Sequence, residues 1–279
     1  MSAPSRPWAT PASRDDVTKL FGHREPLVGM VHLPPLPGSP RWGGDMDAVL
    51  DSARRDADHI LEGGMDGVLV ENFGDVPFHP ERVPAETVAA MALVLDAVRQ
   101  VAGTQPVGIN VLRNDARSGL GLAAVTGANF LRINVHAGVM YTDQGTLEGR
   151  AHETLRTRDR LVPSLLLLAD VLVKHAVAPQ GMDPGLAAAD LRHRALADVL
   201  LVSGARTGVP TDPARLQAAR EAAPDAPVWV GSGLTARNAE KLLDGAHGAI
   251  VGSSLHREGV AGAGVELDRV REVVRTLRG

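Results

Sequence analysis

From about residue 27 the chain alternates short runs that are apolar on both faces with longer segments of helical spacing. The runs are LVGMVHL (27–33), GVLVEN (67–72), PVGINVL (106–112), FLRINVH (130–136), a strand within SLLLLADVLVKH (164–175), VLLVSG (199–204), PVWVGSG (227–233) and AIVGSS (249–254). Continuous apolar runs of this length suit parallel strands covered on both faces. The stretches between them, such as MDAVLDSARRDADHILEGG and PAETVAAMALVLDAVRQVAG, repeat apolar residues at helical intervals and stop near glycine. Eight such units without a break in composition predict an α/β protein, a closed (β/α)8 TIM barrel over residues 21–279. Residues 1–20, rich in proline and serine, are expected to be a flexible lead-in. Gly119-Leu-Gly121-Leu-Ala-Ala124 mimics a dinucleotide fingerprint, but RNDARS separates it from the preceding strand. That fingerprint needs a tight strand-to-helix turn. Helix packing or a loop turn is the better reading of the two glycines.

The last two strands open into glycine and serine: Gly231-Ser232-Gly233, then Gly252-Ser253-Ser254. Glycine lets a ligand approach the main chain, and uncovered N–H groups there can cradle phosphate. Loops after strands seven and eight hold phosphate in many barrels. SGARTGVPTD (203–212) is a third opening, where Ser203, Gly204, Thr207 and Gly208 are candidates for the same ligand or for an ordinary turn.

Strand ends are where barrel chemistry lies, and here they are densely polar. His32 precedes a proline-rich loop and could act as acid or base, or could bond that loop's backbone. Glu71 must be solvated, paired or metal-bound. Asn72, Asn110, Asn134 and His136 suit ligand hydroxyls, although amides also satisfy one another. Asp170, Lys174 and His175 end the fifth run. Lys174 could do Schiff-base or proton-transfer chemistry, or could pair with phosphate, Glu71 or Asp170. If the strand continues through Lys174 and His175, only one of them faces the pocket. The charged stretch 141–161, with Asp143, Glu148, Arg150 and Arg158, reads either as a lid or as an excursion making oligomer contacts.

Composition trims these options. A formal charge of −4 gives no basic surface for nucleic acid, and the absence of cysteine removes disulfides, thiolate zinc sites and a thiol nucleophile. No secretory signal is evident, and the most apolar stretch, 161–173, is shorter than a membrane span and carries Asp170. A cytoplasmic homo-oligomer is expected. No structural metal is expected; the cofactor left open is Mg²⁺, shared by Glu71, Asp143 or Asp170 with a substrate phosphate. One tyrosine, four phenylalanines and three tryptophans offer little stacking surface for a flavin.

Ordered segments from about residue 20 onward resemble the BtpA/SgcQ family: VGMVHLPPLPGSP, GMDGVLVENFGDVPF, PVGINVLRNDA, GANFLRINVHAG, TDQGTLEGRA, ADVLVKHA, SGARTGVPTD, GSGLTARN and IVGSSLHREG. The resemblance implies a TIM barrel of the phosphate-binding type and brings no well-defined reaction. The family name comes from a proposed role in photosystem I biogenesis; other members accompany sugar-uptake and phosphosugar genes. The Lys174-His175 pair matches the family's common form. Members usually carry lysine where this chain has His256, so a ligand-gripping role at that position is in doubt.

The leading expectation is an enzyme acting on a phosphorylated sugar or nucleotide by isomerisation, lyase chemistry or glycosidic cleavage or transfer. The alternative is a non-catalytic assembly or regulatory protein that senses a phosphorylated metabolite.

Overall fold

The computed structural model describes residues 10–204 and 211–279. The barrel strands are β1 (Leu27–His32), β2 (Gly67–Glu71), β3 (Val107–Asn110) and β4 (Phe130–Ile133), followed by β7 (Leu166–Val171), β8 (Val199–Val202), β9 (Val228–Val230) and β10 (Ala249–Val251). An antiparallel hairpin, β5 (Val139–Thr142) and β6 (Gly145–Glu148), interrupts the series after β4. The eight barrel strands pair in parallel and close into a ring, with β10 bonded to β1. Every predicted run contains its strand, but each strand stops short of the predicted end.

Residues on alternating sides of each strand enter different cores. Val28, Met30, Leu69, Phe130, Leu166, Leu168, Val199, Leu201, Trp229 and Ile250 fill the barrel interior. Their neighbours Leu27, Val31, Val68, Val70, Ile109, Leu131, Leu167 and Leu200 pack outward under the helices. The period of two therefore places one inward position per strand at the C-terminal end: His32, Glu71, Asn110, Arg132, Asp170, Ser203, Gly231 and Gly252. This layer is polar or glycine throughout.

Helix α4 (Ala116–Thr126) carries the false fingerprint. A Cβ at Gly119 would lie 2.5 Å from Leu131 Cδ1, so that glycine lets the helix approach β4.

The lead-in expected over residues 1–20 is not loose from residue 10 onward. Helix α1 (Arg14–Phe21) is started by a capping box between Ser13 and Asp16. Its Phe21 ring meets those of Phe130 and Trp229 at 5.4 Å each, stoppering the barrel floor. Ala12 N donates to Asp198 Oδ1, and Arg158 Nη1 donates to the other oxygen of that carboxylate at 3.1 Å. The anchoring residues are apolar and spaced as on one helix face, a signal that the segment's prolines and serines masked. Phe21→Ala should cost about 3–5 kcal/mol, visible as a lower urea midpoint at unchanged slope. A loss below about 1 kcal/mol would show that the stopper contributes little.

Candidate active site

Four inward side chains of the top layer are locked together. Arg132 donates from Nε and Nη2 to Asp170 Oδ2 and Oδ1, both at 3.0 Å, and both side chains are almost fully buried. Asn134 Nδ2 donates to Asp170 Oδ2 at 3.0 Å, and Ser203 Oγ donates to Asp170 Oδ1 at 3.2 Å. Asn110 Nδ2 donates in turn to Asn134 Oδ1 at 3.1 Å. Asp170 is thus the hub of a buried network in which both of its own oxygens are engaged, and neither is left to attack a substrate or bind a cation; the Asn110 Oδ1 at the network's edge has no partner. Its expected catalytic role becomes one of holding Arg132. Burial works against the Arg132 charge, but Asp170 outweighs it and keeps the guanidinium's pKa above its usual value. Arginine was overlooked in FLRINVH, although it lies two residues before Asn134 and so on the same strand face.

Beside this hub lie two connected chambers. The smaller, of about 20 Å³, is walled by the glycine–serine openings (Gly231, Ser232, Gly233, Gly252 and Ser253) together with His32. The larger, of about 920 Å³, is the barrel mouth. Glu71, Phe73, Arg132 and Lys174 line both and form the passage between them.

Lys174 follows β7 on a loop rather than a strand. Leu172 and His175 flank it with φ of 55°, a left-handed conformation that costs non-glycine residues about 1–3 kcal/mol each. The alternation expected of Lys174 and His175 does not apply, and both line the mouth. The loop is clamped from above by the hairpin, since Tyr141 and Val177 exchange backbone bonds of 2.9 and 2.8 Å. From below, Arg113 Nη2 donates to the Lys174 carbonyl at 2.7 Å. Among the described residues neither the Lys174 ammonium nor the Arg113 guanidinium forms an ion pair. Burial, and then the neighbouring Arg132, lower the pKa of Lys174. Glu71, 6 % exposed, is raised by burial against the pull of Arg132 and Lys174.

His32 Nε2 lies 3.7 Å from Glu71 Oε1, and its Nδ1 is 3.0 Å from His256 Nε2. Phe73 packs on the His32 ring with centroids 4.5 Å apart. Both imidazoles are held below the usual pKa by burial, which favours their neutral forms, and one ring donates to the other across the 3.0 Å contact. His256 is fully buried behind His32 and lines neither chamber. It supports His32 and does not grip a ligand.

Other candidates turn elsewhere. Asn72 accepts from Leu112 N at 2.7 Å and donates to Asp75, bracing a loop outside the barrel. His136 faces Ala195 O at 2.9 Å through Nε2. Ser203 is committed to Asp170, Gly204 N donates to Ser232 Oγ at 3.2 Å, and Ser254 Oγ donates to Leu234 O at 2.7 Å. These three shape the cradle without lining it. Thr207 and Gly208 lie outside the described residues. The stretch 141–161 is the tip and second strand of the hairpin, whose Tyr141, Thr142 and Asp143 line the mouth, followed by a helix (Ala151–Leu161). Arg158 there pairs with Asp198, and Arg150 with Glu81. Asp143 reaches the mouth from the hairpin tip, and its carboxylate accepts from Gln144. With Asp170 sealed, the described residues hold no cluster of three His, Asp or Glu suited to a metal. A Mg²⁺ shared with a substrate phosphate would have Glu71 and Asp143, which both line the mouth, as its remaining carboxylates.

Residues 23–279 match the BtpA family. The chain belongs to that family. Photosystem I biogenesis protein BtpA of Synechocystis is 45% identical over 264 residues, covering 94% of this chain and 91% of that one. An uncharacterised BtpA relative from Thermococcus kodakarensis is 46% identical over 255 residues, covering 91% and 96%. Thiamine phosphate pyrophosphorylase from Pyrococcus furiosus shares the fold at a TM-score of 0.54 and 14% identity, over 91% of this chain and 95% of that one. No helix among the described residues of this BtpA-family chain is long and apolar enough to cross a membrane.

Two measurements probe the buried polar layer. Arg132→Met strands the Asp170 carboxylate and should cost about 3–5 kcal/mol; Asp170→Asn paired with it should recover part of that loss. Equal stability of the single and double variants would refute the coupling. The second concerns His136, whose pKa burial pushes down to about 4 from 6.5. Below pH 6.5 the unfolded chain takes up a proton that the folded ring refuses, so stability falls as pH drops toward 4. The full loss is about 3 kcal/mol. Glu71 acts in the opposite sense: its raised pKa costs stability as pH climbs above 4.5. His136→Gln should flatten the decline in urea midpoint between pH 7 and 4.5, and parallel curves for the two proteins would exclude this assignment.

Proposed function

We propose that this chain is an enzyme acting on a phosphorylated small molecule, with the phosphate held at the glycine–serine openings where the small chamber meets the passage. One observation carries the reading: Lys174, a cation without an ion pair among the described residues, lines both that chamber and the mouth. A half-buried charge left unpaired is costly unless a ligand neutralises it. The amides of Ser232, Gly233 and Ser253 would supply the remaining donors, as backbone concavities do for anions. The segments after the two strands are a five-residue helix (Ala239–Leu243) and a three-residue 3₁₀ turn (Ser253–Leu255). Loop amides rather than a helix dipole would therefore do the holding.

Anchoring phosphate there sets the rest of the ligand in the passage, against Glu71, His32 and Lys174. Burial shifts Glu71 toward its protonated form and Lys174 toward its neutral form, directions that suit a proton donor and an acceptor before the phosphate's charge draws the lysine back toward its cation. Phosphate binding energy would orient the reacting carbons between them. Proton transfer on a sugar phosphate or nucleotide is the chemistry this arrangement suits; isomerase, lyase and glycosidic reactions all draw on it.

The name of the Synechocystis relative favours a second reading, in which the barrel senses a phosphorylated metabolite during assembly of another complex. A concentrated ring of ionisable groups with shifted pKa values argues for turnover instead.

Thermal-shift measurements with inorganic phosphate, phosphosugars and nucleoside monophosphates test the site. A ligand at a hundred times its dissociation constant should add about 2.7 kcal/mol of stability. Ser253→Asp should abolish the shift by charge repulsion. Absence of any shift with phosphorylated compounds would remove the phosphate reading. Binding with no turnover of any bound compound, and no loss of binding in Lys174→Met, would favour the sensor.

A further inference from the structure

The two chambers differ in chemistry. The glycine–serine chamber and the passage are polar and charged. Beyond the passage, the mouth is walled by Phe73, Val76, Phe78, Leu112, Tyr141 and Val177. Tyr141 is 51% exposed and Val177 68%, so this apolar wall faces the mouth without a covering element among the described residues. The concentration of rings is unusual for this chain, which has one tyrosine, four phenylalanines and three tryptophans in all. Phe21, Phe130 and Trp229 fill the barrel floor, while Phe73, Phe78 and Tyr141 all line the mouth. The scarcity of aromatics in the sequence therefore hides a local abundance at the site.

From this order of surfaces we infer that the substrate is a sugar phosphate bearing a flat aromatic group, as a nucleoside monophosphate does. The inference rests on the phosphate reading above and names its substrate class. The phosphate lies at the glycine–serine openings where the small chamber meets the passage, the polyol spans the passage beside Glu71, His32 and Lys174, and the aromatic group lies against Phe78 and Tyr141. A volume of about 920 Å³ accommodates a base with room to spare, whereas a bare sugar phosphate would leave the apolar wall wet. The order also locates the chemistry: the ionisable groups stand between the phosphate and the ring, so the reacting atoms belong to the sugar or to its bond with the aromatic group. The wall is held in register with the reactive lysine, because Tyr141 and Val177 are bonded backbone to backbone and Lys174 lies three residues before Val177.

Isothermal titration with four probes separates the parts: inorganic phosphate, ribose 5-phosphate, adenosine and adenosine 5′-monophosphate. The monophosphate should bind at least about tenfold more tightly than ribose 5-phosphate, the scale of one base–aromatic stack. Tyr141→Ala, at an exposed position where folding is undisturbed, should erase most of that margin and leave ribose 5-phosphate affinity unchanged. Equal affinity of the wild type for ribose 5-phosphate and the monophosphate would overturn the aromatic assignment while leaving the phosphate site standing. So would an equal loss for both ligands in Tyr141→Ala. Adenosine binding as tightly as its monophosphate would instead overturn the phosphate reading on which this one rests. Failure of all four probes to bind would overturn both.

Discussion

The bidentate pair between Arg132 and Asp170 is the constraint around which the reactive end of this barrel is arranged. Two opposite charges are enclosed in the same layer, and neither survives there without the other. Asn134, Asn110 and Ser203 spend their hydrogen bonds completing the enclosure. The result is a tightly bonded half of the ring, contributed by β3, β4, β7 and the end of β8. The opposite half, from β1, β2, β9 and β10, carries His32, Glu71 and the glycines around the smaller chamber. Arg132 borders open space on one side while its partner Asp170 is enclosed behind it.

The pair also sets the electrostatics of its neighbours. Arg132 lowers the pKa of His32 and of Lys174 and opposes the burial that raises Glu71. Burial dominates each of these shifts, and the fixed guanidinium adds to it for the lysine and, more weakly than His256 and Lys174, for His32. His32, Glu71 and Lys174 border open space together with Arg132, whose charge is fixed by its bonds to Asp170. This division fits a site whose protonation must respond to a ligand while its scaffold does not.

Much of the architecture was legible in the chain. Two-sided apolar runs revealed the eight strands, and the residues at their ends brought His32, Glu71, Lys174 and the glycine–serine openings into one place. What escaped notice was geometry that strand ends alone do not carry. The period of two separates Asn72, which turns outward to a loop, from Glu71, which turns inward. It also promotes Arg132 to the inward face ahead of the more conspicuous Asn134. His136 and Arg158 looked like site residues because charge and imidazole are conspicuous in sequence, yet both serve contacts under the helices. The cation Arg113 was invisible because it acts on the site through a backbone carbonyl across 61 residues. The aromatic wall was hidden for a similar reason: Phe73, Phe78 and Tyr141 are scattered along the chain and meet only in space.

The stopper at the barrel floor has a consequence for how the protein is made. Phe21 is made well before its partner ring on Trp229 of the penultimate barrel strand, and Ala12 before Asp198. Strand β1 likewise lacks one edge until β10 is synthesised. Such distant pairings form late, so the growing chain carries an unsatisfied amphipathic helix and an open strand edge until those later strands are made. Both are surfaces that chaperones recognise and that aggregate when left alone. The anchor that makes the finished barrel secure is therefore the part most exposed during its birth.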